Sequence, residues 1–185
     1  MIETGVIHGR FQVLHNDHLI YLMAGKSRCR YLVVGITNPD PVLTKDDPAD
    51  PQRSHPMANP LSYYERYIMI QTVLTDEGLK VSDFCIVPFP INYPELFGHY
   101  VPMDGTFFLT IYDDWGRRKL EKFKSLDLKT EILWERPPQK KGLRATDIRQ
   151  RMIKGERWEH FVPKGTEMLM KKLDIPKRLS DLASN

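Results

Sequence analysis

The sequence predicts a single α/β domain, residues 1–185, built on a parallel sheet of about five strands. Short apolar runs rich in β-branched residues alternate with segments of helical periodicity along most of the chain. The first run ends at a glycine and continues directly into a helix start. A chain of 185 residues is long enough to bury about 70% of its unfolded surface, so it can fold without disulfides or a structural metal.

Five apolar runs define the predicted strands: residues 2–8, 30–36, 83–87, 106–112 and 128–134. Runs without polar alternation indicate strands that are covered on both faces, as in a parallel sheet with helices on each side. Pro88 and Pro90 are expected to end the third strand.

Four segments have helical features: residues 19–24, 63–74, 117–123 and 146–154. Ser62 and Glu65 have the spacing of a capping box at the start of the second segment. Asp113 and Asp114 precede the third segment and are expected to cap it, with a divalent ion or a sugar hydroxyl as the alternative partner. Residues 143–185 form a predicted C-terminal helical part.

A proline-rich loop is predicted over residues 39–60. It holds six of the fourteen prolines together with several aspartates, and it shows no periodicity. Loops of this length are usually lids, binding loops or solvated segments, and both a functional loop and a solvated excursion fit this composition.

The overall charge and the cysteines narrow the functional class. The net charge is +3, from 27 Lys and Arg against 24 Asp and Glu, which predicts small anionic partners rather than nucleic acid. Cys29 and Cys85 do not have the spacing of a disulfide framework and are expected to be packed thiols.

No signal or membrane-spanning run is present, so we expect a cytoplasmic protein with no membrane partner. A homo-oligomer is compatible with the sequence.

An anion site is predicted at residues 9–18, where the first strand meets the first helix. A turn at Gly9 before a helix start directs free N–H groups and the positive end of the helix dipole at one place. Arg10, His15 and His18 surround that place and can donate to phosphate oxygens. A zinc site is the alternative for the two histidines, but it needs further ligands, so no metal-binding residue is predicted.

The start of another predicted helix, at residue 146, is expected to line the same anion site from a second side. Thr146 is placed to cap the helix, and Arg149 follows one turn later. The alternative is a basic helix face that only meets solvent.

Two regions are candidates for binding a second substrate. Arg66 lies in a first helical turn, where a positive charge opposes the dipole, so a functional role or a surface salt bridge is expected. Asn92 and Phe97 follow the third strand, where such folds place ligands. Phe97 fits either a ligand ring or an ordinary core contact.

The string Gly-Arg-Phe-Gln-x-x-His-x-x-His resembles the signature of the nucleotidylyltransferase superfamily with the HxGH motif, in particular the archaeal-type nicotinamide-mononucleotide adenylyltransferases. The similarity extends over residues 9–18, 59–66, 144–152 and 155–163. It implies a Rossmann-like, doubly wound fold and the transfer of AMP from Mg²⁺-ATP to nicotinamide or nicotinate mononucleotide, with release of pyrophosphate.

The resemblance also implies roles for individual residues. His15 and His18 would hold the triphosphate and stabilise the developing charge. Arg10 and Arg149 would bind phosphates, and Thr146 would form a hydrogen bond to one of them. Mg²⁺ would be held mainly by phosphates and water. The implied nucleotide site contains these positions: Gly9, Arg10, Phe11, Gln12, His15, His18, Arg144, Thr146 and Arg149.

Several positions depart from the family pattern. Asp17 replaces the glycine of HxGH, and Arg144 replaces a serine, so we expect these opposite charges to neutralise each other. Phe97 replaces a tryptophan that stacks on nicotinamide. Residues 112–115 resemble a turn of glycerol-phosphate cytidylyltransferases. A cytidylyltransferase with another acceptor and a nucleotide-binding module without turnover are therefore the alternatives.

Overall fold

Five parallel strands form one sheet in the computed structural model, which describes residues 1–44 and 55–184. The strand order is β3-β2-β1-β4-β5, so the chain crosses over in both directions from the central strand β1. The strands are β1 (Ile2–Gly9), β2 (Cys29–Thr37), β3 (Phe84–Phe89), β4 (Thr106–Ile111) and β5 (Lys129–Glu135). The predicted Rossmann-like sheet is confirmed.

Helices cover both faces of this sheet. They are α1 (Asn16–Lys26), α2 (Tyr63–Asp76), α3 (Asp114–Ser125), α4 (Ala145–Ile153), α5 (Lys164–Lys172) and α6 (Ile175–Ser184). Neighbouring residues of β1 enter different cores: Ile7 packs with α1, α2 and the C-terminal helices, whereas Val6 packs with Phe123 of α3. The doubly wound arrangement follows directly from this alternation.

The structure extends β3 beyond the predicted end. Pro88 and Phe89 belong to the strand and pair with Ile36 and Thr37 of β2. β3 lies at the edge of the sheet, where proline costs no ladder hydrogen bond on its outer side, so the expectation that Pro88 ends the strand was wrong.

The predicted capping box at α2 is present and also holds the C-terminal helix. The Ser62 hydroxyl accepts from the Glu65 amide at 3.2 Å, and the Ser62 amide donates to the Glu65 carboxylate at 2.8 Å. Arg178 of α6 donates to both oxygens of the same carboxylate at 2.9 and 2.8 Å. α6 is thereby attached to the start of α2.

The proline-rich loop is described only at its two ends. Asp40 accepts from the Leu43 amide at 2.8 Å, and residues Pro56–Ala58 form a short 3-10 helix. Residues 45–54 lie outside the described part of the chain, so the predicted role of this loop stays a prediction. None of the helices in residues 1–44 and 55–184 is long and apolar enough to cross a membrane.

Candidate active site

The predicted anion site begins where β1 ends. Phe11 has a positive φ of 53° and is fully buried, so its ring folds back against the strand. A side chain at Gly9 would approach that ring to 2.9 Å. Gly9 is therefore needed for close packing of the turn, and Phe11 shapes the turn from inside the core.

His15 and His18 lie side by side at the start of α1. Their rings stack with centroids 3.7 Å apart. His15 caps the helix, since its Nδ1 accepts from the His18 amide at 3.4 Å. A neutral His15 therefore carries its proton on Nε2, where it can donate to a ligand oxygen.

Both histidines are held neutral near pH 7. Burial lowers the pKa of His15 to about 4, against a smaller opposing effect of the Asp17 carboxylate. Burial, His15 and Arg10 lower the pKa of His18, while a hydrogen bond to the Val13 backbone raises it. The Nδ1 atom of His18 is buried and has no hydrogen-bond partner in the part of the chain that the structure describes. A polyanion beside these rings would favour their protonated forms.

The start of α4 joins the site through Arg149. This residue is buried, with 5% of its surface exposed, and its guanidinium donates to the Gln12 carbonyl and, at 3.2 Å, to the Thr146 hydroxyl. Arg144, not Thr146, occupies the N-cap position and makes no side-chain capping bond. The expectation that Thr146 caps the helix was wrong, because the N-cap lies two residues earlier. Thr146 instead accepts a hydrogen bond from Arg149.

Gln12 supports the site from within the protein. Its side chain donates to the Leu61 carbonyl and accepts from the Leu61 amide, both at 2.9 Å, and only 2% of its surface is exposed. Both ends of its amide group are used on one backbone segment, so Gln12 fixes the chain before α2 instead of facing a nucleotide.

Arg66 has a structural position that differs from the predicted substrate contact. It is 1% exposed and donates to the carbonyls of Thr37 and Asn38 at 2.8 Å and of Arg10 at 3.0 Å. Its Nε donates to the Ser62 carbonyl at 3.2 Å. These bonds occupy the guanidinium, so Arg66 holds together the loops after β1 and β2. No salt bridge of Arg66 is present within residues 1–44 and 55–184, and the loop aspartates at 46, 47 and 50 lie outside the described residues.

Three arginines nevertheless make the site strongly positive. Burial lowers the pKa of Arg66 and of Arg149 to about 10, and the charge of Arg10 contributes to both shifts. Buried cations placed close to one another are costly unless an anion compensates them. This electrostatic arrangement fits the phosphates of a nucleotide.

Asp17 connects the two walls of the site. Its carboxylate accepts from the Leu143 amide at 2.6 Å, and any side chain at Gly142 would collide with it. Within the described chain no salt bridge joins Asp17 to Arg144. The carboxylate instead has a backbone partner at the residue before Arg144, and the mutual neutralisation of the two charges stays a prediction. The aspartate in place of glycine has a structural partner that the sequence did not reveal.

The two residues predicted to meet a ligand ring are placed differently. Phe97 is fully buried, with its ring centroid 4.4 Å from that of Phe89, so it belongs to the core and its assignment as a substrate ligand is corrected. Asn92 is half-buried on the loop that follows β3. It lies at the edge where the predicted site is expected.

The contacts of Asp113, in the turn after β4, are those of a helix cap. One carboxylate oxygen accepts from the Gly116 amide at 3.0 Å and the other pairs with Lys141 at 2.9 Å. The predicted cap is confirmed. Within the described residues, no three His, Cys, Asp or Glu side chains are grouped to hold a metal ion.

His8, at this edge, was not predicted as a site residue. It precedes Gly9 and is buried, yet among the described residues neither of its ring nitrogens has a hydrogen-bond partner. The sequence did contain a signal for a functional role of this residue, namely a histidine at the end of an otherwise apolar strand.

Known nucleotidylyltransferases have sequences similar to this chain. A phosphonoformate cytidylyltransferase from Streptomyces viridochromogenes is 47% identical over 176 residues, which cover 95% of each chain. A nicotinamide-nucleotide adenylyltransferase from Pyrococcus horikoshii is 30% identical over 183 residues, 98% of this chain and 89% of the other.

Solved structures share the fold at low sequence identity. A bifunctional NMN adenylyltransferase/ADP ribose pyrophosphatase from Francisella tularensis superposes with a TM-score of 0.69 at 16% identity, covering 98% of this chain and 53% of that one. A family model described as cytidylyltransferase-like matches residues 6–151. The chain belongs to this family and is a nucleotidyltransferase.

Proposed function

We propose that the protein is a cytidylyltransferase that transfers CMP from CTP to a small phosphonate, with phosphonoformate as the leading acceptor. The observation that carries the proposal is the 47% identity to a phosphonoformate cytidylyltransferase over 95% of both chains. The identities to nicotinamide-nucleotide adenylyltransferases are lower, at 27% and 30%.

The position of Phe97 supports a small acceptor. In the adenylyltransferase pattern this position carries a tryptophan that stacks on nicotinamide, whereas here the Phe97 ring is enclosed by Phe89 and Phe123. A ring that is fully buried in the core offers no face to a second aromatic ring. An acceptor without a base or ring does not need that contact.

The reaction needs no nucleophilic side chain. An oxygen of the acceptor phosphonate attacks the α-phosphorus of the nucleotide, the new P–O bond forms, and the bond to the bridging oxygen breaks as pyrophosphate leaves with the electron pair. Positioning and charge stabilisation supply such catalysis. A divalent cation, expected to be Mg²⁺, would enter with the triphosphate and neutralise part of its charge.

The residues of the site would divide this work. His15 would donate from Nε2 to a phosphate oxygen, and His18 and Arg10 would stabilise charge that develops on the leaving pyrophosphate. Arg149 would fix the α4 wall through Gln12 and Thr146 while its charge attracts the triphosphate. These roles follow from donors that lie at one edge of the sheet.

Transfer of AMP from ATP to nicotinamide or nicotinate mononucleotide, as in NAD biosynthesis, is the second candidate. It is favoured by the match of whole chains to archaeal adenylyltransferases, which covers 100% of this chain in one case. It requires an acceptor base to bind without the stacking contact at Phe97.

One assay compares these functions. The purified protein is incubated with Mg²⁺, either CTP or ATP, and phosphonoformate, nicotinamide mononucleotide or nicotinate mononucleotide, while pyrophosphate is measured. We expect release with CTP and phosphonoformate, and much less with a His18→Ala control. Release only with ATP and a mononucleotide would establish the second candidate. Thermal stabilisation by nucleotide without turnover would show a binding module.

A further inference from the structure

His8 has an unusual environment for a polar side chain. Its Nδ1 and Nε2 are both buried, and within the described chain neither has a hydrogen-bond partner. The residue as a whole is 5% exposed. Since buried polar groups are almost always hydrogen-bonded, the imidazole lacks partners that a purely structural histidine would have.

The surroundings of the ring are apolar on two sides. Its centroid lies 5.3 Å from that of Phe89, at the end of β3, and 5.4 Å from that of Phe123 on α3. A phenylalanine would fill such a place without burying two unpaired nitrogens. Packing therefore does not explain why a histidine is present.

The location of His8 better explains why a histidine is present at this position. The neighbouring Ile7 faces α1, because a side chain at Gly25 of that helix would lie 2.9 Å from Ile7 Cδ1. Alternation along the strand directs His8 to the opposite face, toward α3. His8 is thus at the carboxyl edge of β1, beside the point between β1 and β4 where the winding changes direction. Ligands of doubly wound folds bind at such points.

The charge near His8 favours an anion. Burial, and after it the positive charge of Lys119 on α3, lowers the pKa of His8 well below its ordinary value. The ring is therefore neutral at physiological pH and offers one N–H donor. An N–H donor that also feels the positive charge of Lys119 is suited to a negatively charged oxygen.

We propose that His8 binds the acceptor of the transfer reaction, donating a ring N–H to an oxyanion of a small phosphonate acid. For an acceptor with two acidic groups, the geometry assigns His8 to the group that does not attack, because His15 and His18 belong to α1, on the other face of β1. Neither nitrogen is exposed, so the acceptor reaches the ring when neighbouring side chains move aside. The assignment rests on the proposed cytidylyl transfer.

Three variants test the assignment. His8→Phe removes both nitrogens and keeps an aromatic ring, and His8→Gln keeps a donor. His160→Phe is the control, because the His160 side chain is exposed. Its contact with Asn16 at the start of α1 is made by the backbone carbonyl, which the substitution keeps. The melting temperature of His8→Phe is expected to equal or exceed that of the wild type, since no hydrogen bond within the described chain is lost.

Steady-state kinetics give the main readout. We expect His8→Phe to raise the KM for phosphonoformate at saturating CTP by about tenfold or more, the effect of one lost hydrogen bond to a charged group, while the KM for CTP changes less than about twofold. His8→Gln should recover part of the loss. An unchanged KM for phosphonoformate, or equal increases in both KM values, would overturn the assignment.

A binding measurement separates this proposal from the proposed function. Phosphonoformate alone is added to each protein and thermal stabilisation is recorded. Stabilisation of the wild type and His160→Phe but not of His8→Phe supports the assignment even if no pyrophosphate is released, in which case only the proposed function fails. Equal stabilisation of all three proteins, or none of the wild type, overturns the assignment whatever the turnover.

Discussion

The carboxylate of Asp17 accepts a hydrogen bond from the backbone amide of Leu143 at 2.6 Å, across 126 positions of sequence. This bond joins the first turn of α1 to the loop that leads into α4. The two helix starts that surround the predicted phosphate site are therefore held at a fixed separation by a residue that belongs to one of them.

Removal of this carboxylate is expected to weaken both stability and nucleotide binding. Asp17→Gly should lower the free energy of unfolding by about 1–2 kcal/mol, since it loses a charged hydrogen bond and a favourable charge at a helix start. The KM for the nucleotide should rise several-fold, because the start of α4 is no longer held next to the start of α1. Urea unfolding and kinetics measure the two effects.

Asp17→Asn is the control for this prediction. It keeps a side-chain oxygen that can accept from Leu143 while it removes the negative charge. We expect it to retain most of the stability. A tighter-binding and equally stable Asp17→Gly would instead show that the carboxylate mainly repels phosphate.

Gly142 is expected to depend on Asp17. Gly142→Ala places a methyl group against the Asp17 carboxylate, so the carboxylate must turn away from the Leu143 amide. The loss of that charged hydrogen bond should cost about 1–2 kcal/mol in the wild type. In an Asp17→Gly background the same change should cost less than about 0.5 kcal/mol, because the colliding atoms are gone.

A double-mutant cycle measured by chemical unfolding tests this dependence. Gly98→Ala is the matched glycine control, since its nearest contact would be Met103 at an ordinary 3.8 Å. Additive losses at residues 17 and 142 would contradict the predicted contact.

Replacement of Arg66 is expected to affect folding more than chemistry. Arg66→Lys should lower the free energy of unfolding by about 2–4 kcal/mol, because an ammonium cannot reach the several carbonyls that the guanidinium holds. Arg118→Lys, on the exposed side of α3, should change stability by less than about 0.5 kcal/mol. A stable Arg66→Lys with a raised KM for the acceptor would restore the substrate role predicted from the sequence.

His15 should make stability depend on pH. Its pKa is about 4 in the folded protein, below the ordinary value near 6.5 that it regains on unfolding. The unfolded chain therefore binds the proton first, and the stabilisation present above pH 6.5 is lost as the pH falls toward 4, by roughly 3 kcal/mol at most.

The variant His15→Asn isolates this effect. Asparagine keeps an N-cap acceptor but does not titrate. We expect the loss of stability between pH 7.5 and pH 5 to be smaller in the variant than in the wild type, while His8 and His18 contribute to both. Equal pH dependence of the two proteins would contradict the shifted pKa of His15.

The sequence predicted the sheet well because continuous apolar runs report burial on both faces directly. It also identified the capping box at Ser62 and Glu65 and the cap at Asp113, which are local. It did not predict the positions of Arg66 and Gln12, because partners of both lie far along the chain: Gln12 binds Leu61, 49 residues away, and Arg66 binds Thr37, 29 residues away. For Phe97 it left a ligand ring and a core contact open. The residue types at these positions suggested binding of a phosphate or of a ligand ring. Whether these side chains are buried is decided by contacts between distant parts of the sequence.

The contact between Asp17 and Gly142 has a consequence for transferring this motif to another protein. A side chain at position 142 would displace the Asp17 carboxylate from the Leu143 amide. A copy of residues 15–18 placed in another protein of the family would therefore keep this bond only if the segment that contains Gly142 is transferred with it.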